Sequence, residues 1–461
     1  MPNRLSLTRM AALIAGRQLS PAELMEAHLA QVKRLDPSLH AFVSVFAEEA
    51  RTQAREAERG THAGPLHGIP ITVKDSFDIR GLPTLCGSRL RIGHQAGEDS
   101  TVVKRLRSAG AIVLGKTNCP EFLANYETDN AITGWTANPW NRERSAGGSS
   151  GGEAAAIASF CSPGGVGSDG GGSVRVPAHF CGIAGLKPTP GRISAAGHYP
   201  EIAHPGGLLG VAGPMARSAE DLRLLFSVLA GYDPADPFSA PVPIRDPDLT
   251  GVRIGVMEQY GPTPVQASIR DAVRAAAGCL AELGFATEEF DASEFEAAPE
   301  VWWFFFTELT ASFTRDLVGD RHADAHWTGQ ELLRMVSEDR HITGKEVVEN
   351  LSLRDRMRIQ LLRRMEGVPV LLTPPCAVSA FRPGERQWQI GDREIGLREA
   401  MSPATPFNLF GMPAIVVPFA FSPDGLPVGV QLVARPWEEE LLLELACRLE
   451  RARGPLPAPQ V

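Results

Sequence analysis

Five short apolar runs, each bounded by glycine or proline, constrain this chain more than any other feature: GIPITVKDSFD (68–78), AIVLGKTN (111–118), VLLTPP (370–375), AIVVPFAF (414–421) and VGVQLVA (428–434). They are too short for helices and rich in β-branched residues, so they read as buried strands. VRIGVM (252–257) is a further run of this type. Stretches of helical periodicity at 99–109 and 264–283 lie between them, and strands alternating with helices specify an α/β sheet. Helices open and close the chain. Ser20-Pro21-Ala22-Glu23 has the form of a capping box with proline at the first helical position, and 437–453 carries Leu441, Leu442, Leu445 and Leu449 on one face. The Pro- and Asp-rich segment 233–250 reads as a surface connection inside one domain, because another buried-type strand follows it.

Charge and cysteine content narrow the class. The chain has 461 residues and a net charge of −9. An acidic chain lacks the clustered Lys and Arg that displace counterions from nucleic acid, so small molecules are the expected partners, with no nucleic acid and no membrane. Seven cysteines without a CxxC pair, and no signal-peptide pattern at the start, suggest reduced thiols and a cytoplasmic location. A monomer or homodimer is expected.

Three motif matches fail on context. Gly110 to Thr117, GAIVLGKT, satisfies the P-loop expression, but its interior residues form the strand themselves, whereas a P-loop needs a turn there. GVGSDG (165–170) matches a dinucleotide fingerprint without the flanking strand and helix. Gly147 to Gly151, GGSSG, fits a nucleophile elbow around Ser149, which requires a later histidine, yet none follows His341. That reading survives only if His179, His198, His204, His322, His326 or His341 acts from an unusual position in the order. His322 and His326 have a helical metal-ligand spacing, but no further ligand cluster lies nearby, so two solvated histidines are expected and no metal.

The segment GSDGGGSVRVPAHFCG (167–182) sets three glycines before Ser173 and then enters core, with Val174, Val176, Ala178, Phe180 and Ile183 of buried type. A flexible linker does not lead straight into core. The glycines instead suit a close backbone approach, or several N–H groups aimed at one point. Pro177 suits the first turn of a following helix, where its missing N–H has no intrahelical partner.

The blocks GIPITVKD (68–75), GKTNCPEF (115–122), NPWN (138–141), GGSSGGEAAAIA (147–158), GSDGGGSVRVPAHFCGIAGLKPTPGRIS (167–194) and PFNLFGMPAIVVP (406–418), in this order, resemble the amidase signature family. The resemblance implies one large domain, a central mixed, twisted sheet covered by helices on both faces. N-terminal helices would occupy 1–61, the signature core 62–230, and a variable helical region on the substrate side 298–366. It further implies a Ser–cis-Ser–Lys triad, carried here by Ser173, Ser149 and Lys74, the two serines standing 24 residues apart, with a cis peptide before Ser149.

The chemistry is coherent on its own terms. Serine needs a base to become a nucleophile. Lysine serves when burial lowers its pKa, and Lys74 ends an apolar strand. Ser149 would relay the proton toward the leaving amine. Backbone N–H groups of Gly170, Gly171, Gly172 and Ser173 would form an oxyanion hole, and Ser150, Asp169 and Arg175 would support the loop. No cofactor is implied. Gly170 stands where many family members carry a side chain, which alters the pocket.

The expected reaction is C–N cleavage of neutral apolar or aryl amides, extended by the same chemistry to carbamates (urethanes) and esters. The alternative within the family is the glutamine-hydrolysing subunit of a tRNA-dependent amidotransferase. Substrate contacts are expected from ANYETDN through Asn125, Tyr126 and Glu127, and from MSPATPF through Met401, Thr405 and Phe407. PEVWWFFFTEL (299–309) places five aromatics in succession, expected mostly in core with some lining a pocket or interface.

Overall fold

In the computed structural model, which describes residues 1–202, 209–321 and 324–461, the apolar runs become strands of one mixed sheet. In chain order the strands are β1 (Phe42–Val45), β2 (Pro70–Lys74), β3 (Ile112–Thr117), β4 (Gly164–Asp169), β5 (Ala184–Lys187), β6 (Val211–Ala216), β7 (Arg253–Val256), β8 (Ala286–Glu289), β9 (Val370–Thr373), the hairpin β10 (Gln387–Ile390) and β11 (Arg393–Gly396), β12 (Ala414–Phe421) and β13 (Pro427–Ala434). Eleven of them hydrogen-bond in the order β1-β3-β2-β4-β6-β5-β12-β13-β9-β7-β8, while β10 and β11 stand apart. β2 runs parallel to β3 and β4, and β7 parallel to β8 and β9; the pairings at the centre are antiparallel.

Alternation along the strands covers both faces. Ile415 and Val417 of β12 join a core with the helices Leu7–Ala15, Ala219–Leu229, Ala267–Glu282 and Glu439–Arg453. Val416, one residue out of phase, points to the opposite core, with the helices Pro21–Leu39 and Gly151–Ala158. A third cluster on that side gathers the aromatics of 302–305 and the helix Gly344–Arg364.

Several local expectations change. The N-terminal region is not only helical: β1 forms a sheet edge against β3. Ser20 caps its helix, accepting the N–H groups of Ala22 and Glu23 while its hydroxyl donates to Glu58 at 2.5 Å, but the Glu23 side chain does not return to the Ser20 N–H, so the box is not reciprocal. GVGSDG, which carries no strand signal of its own, lies largely in β4. The glycines are there because the helix Gly151–Ala158 and its N-cap press onto the strand: a Cβ on Gly165 would collide with Glu153 of that helix, and one on Gly167 would meet Oγ of the N-cap Ser150 at 2.6 Å. Gly115 to Thr117 lies in strand, and Lys116 is buried in an ion pair with Asp75 at 2.8 Å.

Candidate active site

β2 delivers Lys74 by strand periodicity. Ile71 and Val73 enter one core, so Thr72 and Lys74 emerge on the other face, beneath the helix Gly151–Ala158. Lys74 is fully buried; its Nζ lies 2.7 Å from Ser149 Oγ and 3.0 Å from Ser168 Oγ. Burial lowers its pKa to about 8, because a cation loses hydration that neutral hydroxyls do not replace. The adjacent Asp75 is taken by Lys116. Glu153, which also lies behind Lys74, receives the hydroxyls of Thr72 and Thr117 and is pushed up to about 7 by burial. No carboxylate among the described residues hydrogen-bonds to Lys74.

The peptide Gly148–Ser149 is cis, and Gly147 before it has φ +81. Ser150 ties this turn to its neighbours: its N–H donates to the Ser173 carbonyl (3.1 Å), and its hydroxyl donates to the Ser168 carbonyl and accepts the Ser168 N–H (3.3 Å each).

Asp169 organises the glycine run. Its carboxylate accepts the N–H groups of Gly172 (2.7 Å) and Val174 (3.0 Å) and a two-nitrogen contact from the guanidinium of Arg175 (3.0 Å each). Burial alone raises a carboxyl pKa, but Arg175 overrides it and holds Asp169 well below the ordinary range. Arg175 also donates to Gln431 Oε1 (2.7 Å) and the Ala404 carbonyl (2.9 Å). A buried pair so fully hydrogen-bonded resists loss of either partner, since the survivor is left as an uncompensated charge costing about 3–5 kcal/mol. Gly172 has φ +115, a backbone state that favours glycine. Its N–H is engaged by Asp169. That leaves the N–H groups of Gly170, Gly171 and Ser173 without an acceptor among the described residues.

Ser149 and Ser173 open onto one cavity of about 290 Å³, walled by Phe122, Leu123, Tyr199, Leu209, Phe305, Phe306 and neighbours. The six residues expected to contact substrate lie elsewhere. Asn125, Tyr126 and Met401 border a smaller cavity of about 60 Å³ beyond Phe306. Glu127 is buried against Arg386 and the Gly384 N–H, while Thr405 and Phe407 are packed into the interior. Long-range folding places the loop 198–202 and the helix Thr310–Val318 at the cavity instead. Sequence reasoning also missed Ser168, the second hydroxyl on Lys74. Recognising β4 as a strand parallel to β2 in the register Val73↔Val166 would have located it.

The histidines do not complete an elbow triad among the described residues. His179 is buried between the Gly429 N–H and the Val378 carbonyl. His198 borders the cavity, but its Nδ1 pairs with the Pro200 carbonyl at 2.7 Å and burial lowers its pKa to about 3. His326 caps the helix Trp327–Arg334. His204 and His322 lie outside the described residues. No group of three potential metal ligands occurs among the described residues, and no helix there is long and apolar enough to cross a membrane.

A buried lysine hydrogen-bonded to two serine hydroxyls, a further serine on the same cavity and N–H groups without an acceptor beside it are the groups that a serine amidohydrolase requires. The family model for amidases matches residues 23–443, and the chain belongs to that family, the amidase signature enzymes. A glutamyl-tRNA(Gln) amidotransferase subunit from Chloroflexus aggregans is 36% identical over 95% of this chain and 94% of its own length. Among solved structures, 6-aminohexanoate cyclic dimer hydrolase bound to substrate superposes with a TM-score of 0.87 at 31% identity, covering 100% of this chain and 99% of that one. A bacterial aryl acylamidase superposes with a TM-score of 0.87 at 30% identity, covering 97% and 96%.

Proposed function

We propose that the protein hydrolyses the carboxamide bond of neutral, largely apolar substrates through an acyl-enzyme on Ser173. The observation that carries this reading is the cavity itself. It opens onto Ser173 between aromatic and aliphatic walls, and its described lining contains no arginine or lysine. A substrate carboxylate buried there would lack a counter-charge, which costs several kcal/mol. Of the two acidic residues on the lining, Asp169 is already paired with Arg175, leaving Glu201.

In the first step Ser173 Oγ bonds to the carbonyl carbon. Its proton passes to Ser149 as the Ser149 proton passes to neutral Lys74. The Ser149 and Ser173 hydroxyls are not hydrogen-bonded to one another in this structure, so the relay requires them to come into contact when substrate is bound. The oxyanion is received by the N–H groups of Gly170, Gly171 and Ser173. As the C–N bond breaks, the proton returns through Ser149 to the departing amine, and water then cleaves the acyl ester by the same path. Esters and carbamates meet the same groups, and no step calls on a metal or cofactor.

The second reading is the glutamine-hydrolysing member of a tRNA-dependent amidotransferase, and the sequence relatives favour it, the Chloroflexus aggregans subunit among them. Such a protein releases ammonia from glutamine. Comparing kcat/KM for a neutral acyl anilide, an aryl carbamate and glutamine separates the two readings. The anilide is expected to lead, and glutamine as the best substrate overturns the main reading in favour of the second.

A further inference from the structure

Three successive carbonyls of the glycine loop are each held by a side chain from a different part of the chain. Asn408 Nδ2 donates to the Asp169 carbonyl at 3.1 Å, Trp302 Nε1 to the Gly170 carbonyl at 2.8 Å, and the Tyr126 hydroxyl to the Gly171 carbonyl at 2.7 Å. In a trans peptide the C=O and the following N–H point in opposite directions. Holding a carbonyl therefore aims the N–H of the next residue. Asn408 aims Gly170, Trp302 aims Gly171, and Tyr126 aims Gly172, whose N–H is the one received by Asp169. Asn408 and Trp302 thus orient two of the N–H groups that have no acceptor among the described residues.

Trp302 differs from Asn408 in its origin. It comes from the aromatic run outside the signature core, in the helix Ala298–Trp303, and stacks on Phe306 with centroids 4.6 Å apart and planes 15° from parallel. Phe306 in turn forms part of the cavity wall. Both rings lie against the glycine loop: a Cβ on Gly170 would meet Phe306 Cε2 at 2.8 Å, and one on Gly171 would collide with Trp302 Cζ2. The missing side chain at Gly170 is therefore matched by an aromatic ring occupying its place.

We infer that Trp302 is a positioning residue for the oxyanion loop, and that the Trp302–Phe306 stack couples filling of the apolar cavity to the orientation of the Gly171 N–H. An acyl group packed on Phe306 steadies the stack, the stack steadies the Gly170 carbonyl, and fit in the cavity is expressed in kcat as well as in KM. The inference rests on acylation of Ser173, which labelling of the wild-type enzyme with a fluorophosphonate and mapping of the modified peptide establish independently.

Trp302→Phe keeps a ring in the stack and removes only the indole N–H. Its kcat on an acyl anilide is expected to fall about ten- to hundredfold with KM within about threefold of wild type, since misdirecting one donor costs less than deleting it. Affinity for an aryl trifluoromethyl ketone, which forms an oxyanion on Ser173, is expected to fall by the same factor, while affinity for the carboxylate product holds. An unchanged kcat or an unchanged ketone affinity, with Ser173 still labelled in the wild type, overturns the inference and leaves the acyl-enzyme reading standing. Should Trp302→Phe not fold, Phe306→Leu tests the coupling. It is expected to reduce the kcat advantage of a long apolar anilide over acetanilide to less than about twofold, and retention of that advantage overturns the coupling.

Discussion

The signature core and the aromatic region 298–366 meet at the same cavity but are built on different principles. Lys74, Ser149 and Arg175 are themselves at most 1% exposed, and small residues around them let backbone approach backbone. The aromatic region is looser. Its first helix passes into a π-helical segment, Phe304–Leu309, and the next helix leaves Phe313 56% exposed and Leu317 42% exposed at the cavity. Reacting groups tolerate errors well below an ångström, whereas a substrate wall needs only apolar area in roughly the right place. The first demand permits few sequences and the second permits many.

The most severe challenge to this contrast is Ser173→Ala. The Ser173 hydroxyl makes no hydrogen bond to another described residue, so its loss is expected to leave the melting temperature within a few degrees while turnover falls by ~10⁴-fold or more. Turnover near wild type, together with fluorophosphonate labelling of Ser149, transfers the nucleophile to the elbow motif and breaks the assignment of the core.

An intermediate effect is expected from pH. Lys74 acts as a base only when neutral, and burial places its pKa at about 8. Its protonated form dominates below that value, so kcat/KM is expected to climb about tenfold per pH unit on the acid side and to level above about pH 8. A flat profile from pH 6 to 9, measured with a substrate that does not titrate, removes Lys74 from the role of base.

The smallest effect belongs to the aromatic region. Phe313→Ser at the exposed cavity wall is expected to raise KM for an apolar anilide less than about tenfold, with kcat for a short substrate and thermal stability nearly unchanged. A collapse of kcat for every substrate in this variant would show that the wall is as exacting as the core, and the contrast would fail.

Legibility followed the same division. Lys74, Ser149 and Ser173 were nominated because the blocks around them match the amidase signature in order, with the glycine run before Ser173 marking a close backbone approach. The supporting pair Asp169 and Arg175 stood in the same block. Ser168 and β4 were not readable, because a strand of glycine, serine and aspartate has no apolar alternation to announce it. Asn125, Glu127 and Met401 were expected at the substrate as members of the segments ANYETDN and MSPATPF. Tertiary packing turned Glu127 toward Arg386 and set Asn125 and Met401 behind Phe306.

By itself the sequence determined the alternation of strands and helices and carried the family blocks that nominate Lys74, Ser149 and Ser173 as the reacting groups. Apolar periodicity and the steric need for glycine act between near neighbours and are therefore written locally. The tertiary structure decided that Lys74 meets two hydroxyls and no carboxylate, that Asp169 takes the Gly172 N–H, and that Trp302 reaches across 132 positions to the Gly170 carbonyl. Those contacts join segments far apart in the chain, where burial and the pairing of each polar group depend on what the rest of the fold brings alongside.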